Sequence, residues 1–155
     1  MRKDLHRDAK IRKVGAALLG LVQQIETAYE HSASSNKMHP TDFRAICLLG
    51  GSGRPMSPKE MGTFLGLTSG AVSALIGRLE ANGFIARKSN PEDRRSVLVV
   101  LNEEAAARPL LWYRILRERH VEVTENLTDD KLEAIARYLD DVREITLRHS
   151  EATDL

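Results

Sequence analysis

Apolar residues recur at helical spacing through residues 5–31: Ile11, Val14, Leu18, Leu21 with Val22, Ile25 and Tyr29 form one stripe, predicting a long amphipathic helix. Ser32-Ala33-Ser34-Ser35-Asn36-Lys37 is predicted as a loop by composition. His39-Pro40-Thr41-Asp42 opens a short second helix, with proline suited to the first turn and an acid at the positive end of the dipole. Phe43, Ile46 and Cys47 share a face of it, and Gly50-Gly51-Ser52-Gly53 is expected to end it. Ser57-Pro58-Lys59-Glu60 is a capping box that starts a third helix, with Met61, Phe64 and Leu65 expected inward and a stop at Gly66. Thr68 caps a fourth, whose Val72, Leu75, Ile76 and Leu79 make one apolar face before Asn82-Gly83 terminates it.

After Gly83 the apolar period shortens from helical to alternating. Residues 84–88 and 96–101 are predicted strands, separated by the turn cluster Ser89-Asn90-Pro91-Glu92-Asp93. Asn102-Glu103-Glu104 is then expected to cap a long helix bent near Pro109, and Thr128-Asp129-Asp130 a last one carrying Leu132, Ile135, Leu139, Val142 and Ile145 with Thr146. Two short helices joined around a glycine and followed by a ribbon make a winged helix-turn-helix. The fold class expected is mainly α with a small two-stranded β wing. Residues 36–101 form the winged lobe, and residues 1–35 with 102–155 a helical dimerisation region, all within one structural domain. The first and last helices carry more apolar surface than so small a lobe can cover, so a second copy of the chain is the expected partner.

The 155 residues suffice for one full core, and no apolar run approaches the roughly 18 residues that would span a bilayer. The charged N-terminus lacks the apolar stretch of a secretory signal, and the single cysteine, Cys47, cannot pair internally, so a cytoplasmic protein without a membrane partner is expected. Net charge is only +1, but residues 1–13 and 68–101 are basic on balance while residues 102–155 are acidic. That asymmetry fits one face turned to a polyanion; ordinary solvated helix faces explain it equally well.

With the apolar face of the fourth helix inward, Ser69, Gly70, Ser73, Ala74, Gly77 and Arg78 lie outward beside the cap Thr68. Small side chains let a helix enter a major groove, where serine bonds base edges or phosphates and alanine contacts thymine methyls. In the turn between the strands, Asp93-Arg94-Arg95 would bring arginine to a minor groove, with the carboxylate holding a guanidinium in place. No nucleophile–base set, phosphate loop or carboxylate cluster suggests an enzyme. His6, His31, His39, His120 and His149 lack metal-ligand spacing, and no cofactor is expected. Cys47, four residues after Phe43, is expected to be a packing residue. The competing reading is a winged helix used only for protein–protein contact.

The stretches Leu67-Thr-Ser-Gly-Ala-Val-Ser-Ala-Leu-Ile-Gly-Arg-Leu-Glu-Ala-Asn-Gly-Phe-Ile-Ala-Arg and Asn90-Pro-Glu-Asp-Arg-Arg-Ser-Val-Leu-Val-Val-Leu resemble the MarR family of multiple-antibiotic-resistance-type regulators. The resemblance covers roughly residues 5–148. It implies a homodimeric transcriptional regulator of the repressor type on palindromic double-stranded operator DNA, with Arg95 as minor-groove arginine and Asp93 as its buttress. Ser73 falls at a base- or phosphate-contacting position, and Arg78 at a basic position where a phosphate contact or a bond to the wing is implied. Gly70 and Ala74 depart from the family by lacking larger side chains, which shifts weight to shape and phosphate contacts. The resemblance also implies a small aromatic effector, for which Tyr29, His39, Arg44, Trp112 and Tyr113 are the candidate lining residues. Peroxide-sensing relatives carry a cysteine in the first helix; this chain has none there, so Cys47 does not inherit that role.

Overall fold

The computed structural model describes residues 2–91, 93 and 95–153, with side chains from His6 to Arg148. Seven helices and two strands follow in order among them: α1 (Arg2–Ser35), α2 (Pro40–Ser52), α3 (Pro58–Leu65), α4 (Ser69–Ala81), β1 (Ile85–Ser89), β2 (Val97–Leu101), α5 (Glu103–Ala106), α6 (Leu111–Thr124) and α7 (Asp129–Thr153). The mainly helical fold with a two-stranded antiparallel ribbon is the one expected. The chain divides into two compact units, Met1–Tyr113 and Arg114–Leu155.

In the first unit, the inward faces of α2, α3 and α4 meet the ribbon around Phe43, Ile46, Met56, Met61, Leu75, Ile76, Leu79 and Val99, all essentially without solvent contact. Burying one such side chain contributes about 1.5–3 kcal/mol. The ribbon pairs Ile85 with Leu101 through Ser89 with Val97, and Val99 also exchanges both backbone hydrogen bonds with Met56 (2.8 and 3.1 Å). That bridge ties the segment before α3 to the wing, an attachment the alternating pattern did not reveal.

Four sequence expectations change. The stretch 32–37 is helical as far as Ser35, because Ser32 and Ala33 are buried and Asn36 Nδ2 donates to the Ser32 carbonyl at 2.8 Å. Packing here overrides a loop-like composition. α2 likewise runs through Gly50 and Gly51 and closes only at Gly53, in the left-handed conformation at φ 62°. The first two glycines serve close approach: a Cβ on Gly50 would stand 2.9 Å from Leu110, and one on Gly51 would press on the Tyr113 hydroxyl. Phe64, expected inward, is 65% exposed, because so short a helix buries only Met61 and Gly62 fully. Pro109 does not bend a continuous helix: it separates α5, capped by Asn102, from α6.

The second unit holds the remainder of α6 and α7. α7 keeps its apolar stripe, with Leu132, Ile135, Leu139 and Ile145 all more than a third exposed. It also carries exposed Asp140–Arg143 and Glu144–Arg148 ion pairs. α1 has the same character along its N-terminal two thirds, where Ile11, Val14, Leu21 and Val22 are exposed. No helix is long and apolar enough to cross a membrane among the described residues.

Candidate nucleic-acid interface

α3 is set by its capping box: Ser57 Oγ accepts from the Glu60 N–H at 3.2 Å, and the Glu60 carboxylate accepts from the Ser57 N–H at 2.7 Å. Arg54 adds a 2.8 Å ion pair to Glu60. The Ser57 backbone N–H first, then the Arg54 guanidinium and the Ser57 side chain, hold the Glu60 carboxyl down to about 2. The chain leaves α3 through Gly66 at φ 64°, a left-handed turn that a Cβ would strain, and Thr68 Oγ1 accepts from the Ala71 N–H at 3.3 Å to begin α4. Cap, glycine and cap thus fix the angle at which α4 is displayed.

On α4 the apolar set is inward as expected, with Val72, Leu75, Ile76 and Leu79 buried. Thr68, Ser69, Gly70, Ser73, Ala74 and Arg78 are exposed together on the outer arc. Ser73 Oγ donates to the Ser69 carbonyl at 3.0 Å, a local bond that leaves the oxygen able to accept. Arg78 turns to α2 rather than the wing: Nη2 donates to Asp42 Oδ1 at 2.6 Å, and Nε bridges both carboxylate oxygens at 3.2 and 3.3 Å. Asp42, identified from sequence only as a helix-start acid, is almost completely buried by this pairing.

The wing is held to α4 by Arg87 and Glu80, 2.9 Å apart, and to the start of α5 by Asn102 Nδ2 donating to the Gly83 carbonyl at 2.9 Å. At its tip the Asn90 N–H donates to the Ser96 carbonyl and the Ser96 N–H to the Asp93 carbonyl. Asp93 Oδ1 accepts from the backbone N–H of Arg95 at 3.0 Å. The carboxylate therefore shapes the turn that carries Arg95 instead of clamping its guanidinium, and Arg95 is exposed. Arg94 lies outside the described residues.

Three of the five candidate effector residues share one cavity. Tyr29, Arg44 and Tyr113 line a space of about 460 Å³ with Leu48, Phe64 and Cys47. The Arg44 guanidinium stands 5.9 Å from the Tyr29 ring centre. Burial pushes the Tyr29 hydroxyl up from its ordinary value, reinforced by Cys47 and Tyr113 and opposed by Arg44. Burial also pushes the Cys47 thiol up to about 12, as befits a packing residue. His39 and Trp112 do not join them. His39 is the N-cap of α2, its Nδ1 accepting from the Thr41 N–H at 3.2 Å, and it borders a separate cavity beside Asp42. Trp112 meets the Tyr29 ring edge-on at 5.6 Å and borders a third, with His31 and Arg108.

The MarR family model matches residues 38–97. Over 111 residues the chain is 32% identical to YcgE, an HTH-type transcriptional regulator of Bacillus subtilis, covering 72% of this chain and 71% of that one. It is 35% identical over 100 residues to the multiple antibiotic resistance protein MarR of Salmonella typhimurium, covering 64% and 68%. A crystal structure of an Escherichia coli MarR variant complexed with operator DNA superposes with a TM-score of 0.52 at 26% identity, over 82% of this chain and 91% of that one. The family and these relatives are regulators of transcription, not enzymes. The chain belongs to the MarR family of winged helix-turn-helix, DNA-binding transcriptional regulators.

Proposed function

We propose that the protein is a homodimeric repressor that binds a palindromic operator, with α4 in the major groove and Arg95 of the wing in the minor groove. The observation that carries this reading is the joint exposure of Thr68, Ser69, Gly70, Ser73 and Ala74 on α4 with Arg95 on a wing tied to the same helix through Arg87 and Glu80. Small outward side chains permit close approach to base edges, and an arginine on a ribbon tip matches the negative potential of a narrow minor groove. The operator-bound E. coli MarR supports the partner class. The exposed apolar stripes of α1 and α7 support a dimerisation region made from residues 1–35 and 102–155. Such a regulator acts in the cytoplasm, with its DNA.

A small aromatic acid as releasing ligand is favoured by the 460 Å³ cavity, where Arg44 offers a charge partner beside the rings of Tyr29 and Tyr113. Selection from a random duplex pool, followed by titration of the selected fragment over a range of salt, tests the operator reading. Phosphate contacts release counterions, so affinity must fall steeply as salt rises. Arg95→Ala is expected to weaken binding while leaving the dimer folded. A flat dependence on salt, or no preferred sequence, returns the protein to a protein–protein contact module.

A further inference from the structure

Arg78 projects from the edge of the outer arc of α4, with 47% of its side chain exposed, while its partner Asp42 is only 10% exposed. The pairing is side-on, using Nε and one N–H of Nη2. Both N–H groups of Nη1 and the second of Nη2 remain, and among the described residues none of them has an acceptor. These are the end-on donors of the guanidinium, whose spacing matches two oxygens of a phosphate. We propose that Asp42 is a positioning residue for DNA: it holds Arg78 so that this end-on fork meets a backbone phosphate beside the groove occupied by α4. The inference rests on the operator-binding reading and adds to it a residue on α2, outside the helix-turn-helix and the wing.

Two effects of opposite sign compete. A carboxylate near DNA repels phosphate, whereas an arginine already fixed in direction avoids the ordering cost that a free one meets on binding. Asp42 is buried, directly paired, and stands in the first turn of α2, where the positive end of the dipole offsets its charge. Its repulsion is therefore largely cancelled locally, and the orienting effect wins. Orientation of one long side chain is worth about threefold to tenfold in affinity for each operator half.

The test uses the full chain and a duplex selected by the wild-type protein from a random pool. Asp42→Asn keeps the shape but loses the ionic clamp; it is expected to bind about threefold to tenfold more weakly per half-site, with a shallower salt dependence. Arg78→Ala should lower the slope of log affinity against log salt by about one per half-site, and adding Asp42→Asn to it should change nothing further. A merely structural Asp42 would instead weaken both backgrounds by the same factor. That result, or unchanged or tighter binding by Asp42→Asn, overturns the proposal. Should Asp42→Asn not fold, the half-exposed Arg78→Lys decides: it keeps the charge without the fork, and affinity equal to wild type overturns the proposal. A wild-type protein that selects no duplex removes the operator reading itself.

Discussion

Replacing Glu60 by glutamine removes a charge from the start of α3 while leaving an amide oxygen able to accept from Ser57. In the wild type that carboxylate accepts from the Ser57 N–H at 2.7 Å and from Arg54 at 2.8 Å, and its pKa falls from 4.5 to about 2. Taken at face value the displacement corresponds to roughly 3 kcal/mol. The side chain is 39% exposed, so solvent screening reduces this to about 1 kcal/mol, the usual worth of a helix cap. The sign follows from the depressed folded value: the contribution is complete above about pH 4.5 and disappears as pH falls towards 2. Trp112, the single tryptophan, packs edge-on against Tyr29 and reports unfolding of the unit that contains α3. Urea titrations of both proteins at pH 6.5 should differ by about 1 kcal/mol, and at pH 3 by less than half of that. An equal gap at the two pH values, or none at pH 6.5, would refute the assignment of the stabilisation to the ionised carboxylate.

Leu75→Ala, at a position without solvent contact, should destabilise the first unit by about 2–5 kcal/mol, measured by the same fluorescence titration; a loss below 1 kcal/mol would contradict its place in the core. Gly66→Ala should cost about 1–2 kcal/mol through its left-handed backbone, and a neutral result would mean that the α3–α4 turn has another conformation in solution. Cys47 should resist a thiol reagent at pH 8 until urea is added, because the folded thiol ionises only near 12. Immediate stoichiometric labelling of the native protein would rule out its burial.

The parts of the fold legible in the sequence are those dictated by near neighbours. Ser57 and Glu60 cap one helix start, Thr68 caps the next, and Gly66 supplies the left-handed turn between them; each involves residues within a few positions. The apolar face of α4 and the ribbon were legible for the same reason. What was missed depends on residues distant in sequence. Asp42 and Arg78 stand 36 positions apart, and the only hint was an acid placed directly beside the buried Phe43. Met56 meets Val99 through backbone atoms, which no side-chain pattern encodes. Asp93 was expected to hold the Arg95 guanidinium and instead accepts from the Arg95 backbone N–H, a partner that spacing alone could not distinguish. Gly50 and Gly51 have the composition of a helix end, yet they lie inside α2, where Leu110 and Tyr113 leave no room for a Cβ.

The division of labour along α4 bears on how such a protein changes its target. Its caps, its four buried side chains and the ion pairs of Arg78 with Asp42 and Glu80 with Arg87 account for its attachment, while a Cβ added at Gly70 or Gly77 would meet nothing within 4 Å. Side chains at Ser69, Gly70, Ser73, Ala74 and Gly77 can therefore be exchanged, lengthened or charged with little effect on folding, whereas Thr68 holds the cap and Arg78 the buried Asp42 carboxylate. Drift at these positions escapes the usual purge of destabilising changes, and under the proposed operator binding it would be exposed to selection through the DNA. A library randomised at Ser69, Gly70, Ser73 and Ala74 would consist mostly of folded proteins, differing in the sequences they prefer and not in whether they survive.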